Sequence, residues 1–249
     1  TASLDYYHIK LEDQVGAIPI NITMNKCLAG DAASCAIIQR NPTNGSLVGN
    51  LVEDLGYIQG FNVNIGAVET SGLDLQANYN LPLENWGWDK YGQLSVNFIG
   101  SYLIDNEITP VPEEGTYDCA GLFGPGCQTL LPEWRHTARI NWTTPWNVTA
   151  SLAWRYIGKV TYEEDTNEEI IGQGTTHAFN NELPSRSYVD ISGIWQVNDM
   201  FKFRAGVNNV FDQDPPLVDA GIVGTGLPNA YPTYDLLGRK LFMGFTASF

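Results

Sequence analysis

The chain has 249 residues and a formal net charge of −15, from 13 Lys plus Arg against 28 Asp plus Glu. That balance excludes a nucleic-acid-binding surface, which needs a basic footprint. Charged residues make up 16%, below the roughly 25% of ordinary soluble domains, and the abundance of aromatics, Gly, Asn and Thr is the habit of β-structure with turns.

Taken in chain order, residues 1–11 (TASLDYYHIKL) read as a first strand. A long connection, about 12–60, follows and carries Cys27 and Cys35. The second strand, about 61–82, shows a clear period of two: Leu73, Leu75, Ala77, Tyr79 and Leu81 oppose Asp74, Gln76, Asn78 and Asn80. A short link, PLENWGWDKY, leads to strand 91–104, where Leu94, Val96, Phe98, Gly100 and Tyr102 oppose Gln93, Ser95, Asn97 and Ser101. The connection 105–133 carries Cys119 and Cys127.

Strand 134–143 sets Ala138, Ile140 and Trp142 against Arg135, Thr137, Arg139 and Asn141. After a short turn, strand 147–161 sets Val148, Ala150, Leu152, Trp154 and Tyr156 against Thr149, Ser151, Arg155 and Lys159. A long acidic connection, 162–185, precedes strand 186–197, with Val189, Ile191, Gly193, Trp195 and Val197 on one face. Strand 200–210 follows closely, with Phe201, Phe203, Ala205 and Val207 opposite Lys202, Arg204 and Asn208. The last strand, 234–249, sets Leu241, Met243, Phe245, Ala247 and Phe249 against Phe242, Gly244, Thr246 and Ser248.

About eight strands with connections alternately short and long make an up-and-down antiparallel sheet. No run approaches the ~18 apolar residues of a transmembrane helix. A β-sandwich also alternates, but here the polar face carries mid-strand charge at Asp74, Arg135, Arg139, Arg155, Lys159, Asp190, Lys202 and Arg204, and the opposite face carries essentially none. A charge facing lipid at mid-depth costs about 2–4 kcal/mol, which selects for such purity. Aromatics near strand ends suit the two girdles of a membrane barrel, with short periplasmic turns and long extracellular loops.

The four cysteines form two local pairs of equal spacing. One reading is four buried free thiols. The other is two disulfides, Cys27 with Cys35 and Cys119 with Cys127, which implies an oxidising compartment. Each small closed loop would then be worth about 2–3 kcal/mol. A zinc site lacks a further Cys or His nearby at ligand spacing.

FRAGVNNVFDQDPP (203–216) and YDLLGRKLFMGFTASF (234–249) resemble the last two strands of TonB-dependent outer-membrane receptors. VETSGLDLQANYNL (68–81), LDYYHIKLED (4–13), the stretch 118–142 and SLAWRYIGKV (151–160) resemble upstream parts of the same barrel, so the resemblance runs the length of the chain. It implies an all-β fold: about eight strands, the last of a barrel of about 22 strands. It implies energised import across the bacterial outer membrane of a scarce ligand such as a ferric siderophore, cobalamin, haem or an oligosaccharide, with no bond chemistry and no cofactor. The partners it implies are outer-membrane lipid and lipopolysaccharide, the TonB complex acting through a plug, the barrel-assembly machinery and a small nutrient. The chain shows neither plug nor TonB box, so residues 1–249 are expected to be a C-terminal part of a receptor whose barrel does not close alone. Two rivals are a self-contained eight-stranded outer-membrane barrel, adhesive or enzymatic, and a soluble β-sandwich binding module.

Candidate functional residues follow. Arg135, Arg139, Arg155, Lys202 and Arg204 are expected to line the lumen and to pair with acidic groups of the plug or of neighbouring strands. Tyr117, Phe123, Tyr162 and Phe179 are loop aromatics that would stack on a sugar or pack their own loops. Glu163, Glu164 and Asp165, with Glu168 and Glu169, offer carboxylates of the kind Ca²⁺ takes, but without the glycine-hinged spacing of an EF-hand, and read better as a solvated loop. Asn208, Asn209, Phe211 and Asp212 read as strand-terminating turn residues. Phe249 resembles the terminal aromatic recognised by the assembly machinery. His8, His136 and His177 are scattered and suggest no metal or catalytic site.

Overall fold

A computed structural model describes residues 1–18, 20–47, 56–60, 62–111, 115–127, 129–167, 170–172, 181–219, 222 and 231–248. Eight long strands carry the fold: β1 (Ala2–Ala17), β2 (Asn62–Pro82), β3 (Gln93–Thr109), β4 (Trp134–Thr143), β5 (Val148–Ile157), β6 (Arg186–Gln196), β7 (Phe201–Asn208) and β8 (Lys240–Ala247). They lie side by side in chain order, and each register from β3 to β8 is antiparallel. The sheet is open, with β1 and β8 at its edges. A sealed eight-stranded barrel is thereby excluded for these strands.

The short turns are built by local chemistry. Between β2 and β3 a 3-10 turn, Leu83–Trp86, ends on Gly87 at φ 79°, a left-handed position that suits glycine. Between β4 and β5 the Thr144 hydroxyl donates to the Val148 carbonyl at 2.8 Å. Between β6 and β7 the Asn198 side-chain oxygen accepts from the Met200 and Phe201 amides at 3.0 and 2.8 Å.

Two compact units are present. The first comprises Thr1–His8, Thr70–Asn106 and Cys119–Phe249. The second comprises Ile9–Glu69 and Glu107–Asp118. It holds helices α1 (Ile20–Leu28) and α2 (Ala32–Ala36), the Cys27–Cys35 disulfide, and a small pair of strands, Ile38–Gln39 with Tyr57–Ile58. Asp31 caps α2, its carboxylate accepting from the Ser34 amide at 2.8 Å.

Within the first unit the register aligns the apolar face across strands. Val96, Ile140, Leu152 and Ile191 share one row, and Phe203 stands opposite Phe245, Ala205 opposite Met243. These side chains stay exposed: Leu152 43%, Met243 80%, Phe245 64%. No second sheet covers them among the described residues, so the sandwich reading fails. The buried core lies instead in the long connections, where Phe123, Leu130, Val160, Tyr162, Leu183, Val218, Tyr231 and Tyr234 pack with Ile157 and Tyr188 at the strand ends. A three-stranded patch, Leu122–Phe123, Val160–Tyr162 and Glu182–Leu183, braces this cluster.

The strand limits differ from the sequence expectation most at four ends, one of them β5, which stops at Ile157 rather than 161. β1 runs to Ala17 rather than 11 and β3 to Thr109 rather than 104. β8 begins at Lys240 rather than 234. Tyr234 is buried among the connections, and Gly238 takes φ 65°, so the chain bends before the strand starts.

Candidate functional site

Alternation gives the first unit a polar face opposite the apolar one. Near the short turns this polar face satisfies itself. The Asn97 amide donates to Asn78 at 2.8 Å, Asn141 reaches Ser95 and Asn97 at 3.4 Å, and Arg139 donates to the Ser151 hydroxyl at 3.0 Å. Nearer the long connections it opens into a cavity of about 610 Å³, lined in part by Asp5, Asp74, Gln76, Ser101, Arg135, Thr137 and Arg155.

The expected lumen cations divide into two groups. Arg155 is held bidentately by Asp190 of β6, at 2.8 and 3.1 Å, and by Asp235 ahead of β8, at 2.6 and 3.2 Å. It also lies 5.1 Å above the Tyr188 ring. Asp190 in turn accepts from the Asn209 amide at 2.8 Å. Arg155 thus ties two strands and the last long connection together. Arg135, Lys202 and Arg204 form no ion pair among the described residues. Arg204 lies over Gly244, and Phe242 lies over Gly206 on the same face; side chains at either glycine would collide with these groups.

The turn residues expected to end β7 do so. Asn209 is fully buried, bonds Gln213 in both directions at 2.8 and 3.0 Å, and takes φ 52°. Asp212 accepts from the Arg239 amide at 2.7 Å, joining the two recognised terminal motifs. Both cysteine pairs are disulfides, and the described chain has no free thiol.

Of the two roles open to the loop aromatics, packing within the loops is the one taken by the three that are described. Phe123 is 0% exposed, Tyr117 3% and Tyr162 5%. Phe123 packs on Tyr162 and edge-on to Tyr231, with ring centroids 5.4 and 5.9 Å apart. These rings support loops and have no face left for a sugar. Phe179, Phe249, His177, Glu168 and Glu169 lie outside the described residues. Glu163 is likewise not a solvated carboxylate. It is 4% exposed, and its two oxygens accept from the Gly126 and Cys127 amides at 2.7 and 2.8 Å. It clamps the Cys119–Cys127 loop, in a cradle that side chains at Gly124 and Gly126 would crowd. Each of its oxygens thus carries one loop amide, and burial keeps the group out of bulk solvent. Burial raises its pKa above the usual carboxylate value against the two amide bonds. Burial also pushes the Tyr231 hydroxyl up to about 12.

On the apolar face His136 sits inside an aromatic band. The Trp134 indole donates to its Nδ1 at 2.8 Å, and Phe98, Tyr156 and Trp154 surround the ring at 5.4, 5.3 and 4.4 Å. A second band at the short-turn end joins Tyr91, Trp142 and Trp146. Two aromatic bands flanking an aliphatic stripe are the arrangement of a barrel's lipid-facing surface. The sequence model of the TonB-dependent receptor-like β-barrel matches residues 1–210.

The chain belongs to this family. As a TonB-dependent receptor barrel chain it is a protein of the bacterial outer membrane. No curated protein matches it. Among solved structures it is similar to a ferric enterobactin receptor mutant from Pseudomonas aeruginosa, with TM-score 0.59 and 17% identity over 100% of this chain and 29% of that one. It is also similar to the copper transporter OprC, with TM-score 0.52 and 15% identity over 100% of this chain and 28% of that one. At these identities the likeness shows the fold. The chain spans less than a third of either receptor's length.

Proposed function

We propose that this chain supplies barrel wall and extracellular loops to an outer-membrane receptor that imports a scarce nutrient by TonB-dependent transport. The observation that carries the reading is the open meander itself. In lipid an unpaired strand edge is not tolerated, so the free edges of β1 and β8 call for further strands of a larger barrel. The apolar face then meets lipid and the polar face meets the lumen. A plug inside such a barrel would supply acidic partners for Lys202 and Arg204, while Arg155 is already paired within the wall.

Members of this family are transporters, and the role proposed for this chain is binding and passage rather than bond chemistry. The cargoes to test are a ferric siderophore, cobalamin, haem and an oligosaccharide, with the ferric enterobactin and copper for which the two neighbours are named alongside. The test is uptake of labelled candidate cargoes by intact cells. The reading expects uptake that is lost on deleting the receptor gene, on deleting TonB and on adding a protonophore. Uptake indifferent to TonB and to the proton gradient defeats it.

A further inference from the structure

Mutual backbone hydrogen bonds of 2.8 Å make Thr1 and Asn78 an antiparallel pair between β1 and β2. Counting four residues along each strand places Asp5 directly opposite Asp74, both on the polar face. The same count puts Tyr7 opposite Gly72, and the Tyr7 hydroxyl rests on that glycine. Like charges directly opposite on a sheet repel, and neither carboxylate forms an ion pair among the described residues.

One strand further, Ser101 of β3 stands opposite Arg135 of β4. Arg135 also lacks an ion pair among the described residues. Asp5, Asp74, Ser101 and Arg135 all line the 610 Å³ cavity, a volume typical of small-molecule sites. Arg155 lines it too, but its guanidinium is taken up by Asp190 and Asp235. The cavity therefore presents a two-carboxylate anionic end and a one-guanidinium cationic end, with Ser101, Gln76 and Thr137 offering hydrogen bonds. Asp74 and Arg135 are two strand spacings apart, about 10 Å.

We propose that this cavity is a binding site for a short zwitterion: a solute with a protonated amine for the Asp5–Asp74 pair and a carboxylate for Arg135, about 10 Å apart. An extended peptide of about three residues spans that distance at 3.3–3.6 Å per residue. A mono-anion satisfies only Arg135 and leaves the carboxylate pair repelling; a mono-cation does the reverse. A dipolar solute satisfies both ends. Trp134 and His136, either side of Arg135 in sequence, belong to the aromatic band on the long-loop side. That sets the site at the outer mouth of the wall, where an incoming solute would first meet it.

The proposal deepens the import reading and rests on it for the direction of approach. Its test is equilibrium binding to the full-length receptor in detergent, with triglycine, N-acetyl-triglycine and triglycinamide as probes. Triglycine is expected to bind at least tenfold more tightly than either blocked peptide. In Arg135→Gln, triglycine should fall to the level of triglycinamide, and in the Asp5→Asn/Asp74→Asn pair it should fall to that of N-acetyl-triglycine. Heat-modifiable gel migration confirms that each variant is folded. No triglycine binding, which includes the case of a cavity filled by another part of the receptor, overturns the site, as does equal binding of all three peptides. TonB-dependent uptake of the receptor's cargo can persist through either failure, so loss of this site and loss of the import reading are separate results.

Discussion

Replacing Arg155 with Met offers the sharpest probe of how the last long connection is held to the wall. The substitution keeps the aliphatic stem but removes four hydrogen bonds to Asp190 and Asp235. Those side chains are only 19% and 16% exposed, and that of Arg155 is 31%. Stripping the cation from a buried pair costs about 3–5 kcal/mol because the carboxylates lose their partner. Partial solvent access at this site argues for the lower end, about 3 kcal/mol. That raises the local opening constant about 100-fold, at 1.36 kcal/mol per decade. The assay is hydrogen exchange of the full receptor in detergent, read on peptides covering 209–219 and 231–239. Asp235→Asn should cost less, since Arg155 keeps Asp190, and adding it to Arg155→Met should recover part of the loss. Exchange unchanged to within threefold in Arg155→Met would falsify the argument that this junction anchors the connection.

Other outcomes follow from the same physics. Glu163 has a raised pKa in the folded loop, so its contribution is full below the ordinary carboxylate pKa and is lost as pH rises through the raised value. Exchange protection of the Cys119–Cys127 loop should therefore decline with rising pH once intrinsic rates are corrected, and Glu163→Gln should flatten that dependence. Removing the Cys119–Cys127 bridge with paired serines should destabilise the loop by about 2–3 kcal/mol and loosen Phe123 and Tyr162, read as new tyrosine and backbone exposure; full retention of protection there contradicts the loop core. Gly100→Leu places a side chain against Trp134 and Phe98, with the first added carbon 2.7 and 2.9 Å from them. It should lower the yield of heat-modifiable, folded receptor, and normal yield would show that the aromatic band yields easily.

The wall was legible in the sequence because a period of two repeats over strand after strand, and a one-residue slip would turn every charge to the wrong face. The same regularity separated Arg135 and Arg155 from Trp134 and Trp154. The connections were not legible, because their order comes from partners far apart. Tyr162 and Phe123 look like exposed loop aromatics until Tyr231 closes over them. Glu163 sits in an acidic run that reads as solvated, and its amide partners lie 36 and 37 residues back; the glycines flanking Pro125 were the only hint of a cradle. Arg155 meets Asp235 across 80 residues, a pairing no local pattern announces. The opposition of Asp5 and Asp74 likewise depends on a register between β1 and β2, which flank a long connection.

The account stands on the claim that the apolar face of this sheet meets lipid and the polar face meets water. A cysteine scan of β5 in the full receptor tests it directly, since the four cysteines of this chain are paired and silent. Single cysteines at Thr149, Ala150, Ser151, Leu152 and Ala153 would be labelled in intact outer membranes with a water-soluble maleimide, then separately with a fluorophore quenched by lipid-borne nitroxide. Positions 149 and 151 are expected to favour the aqueous reagent and 150 and 152 to be quenched from the lipid, while Ala153, only 1% exposed, should resist both. Reversed alternation, or none, contradicts the account.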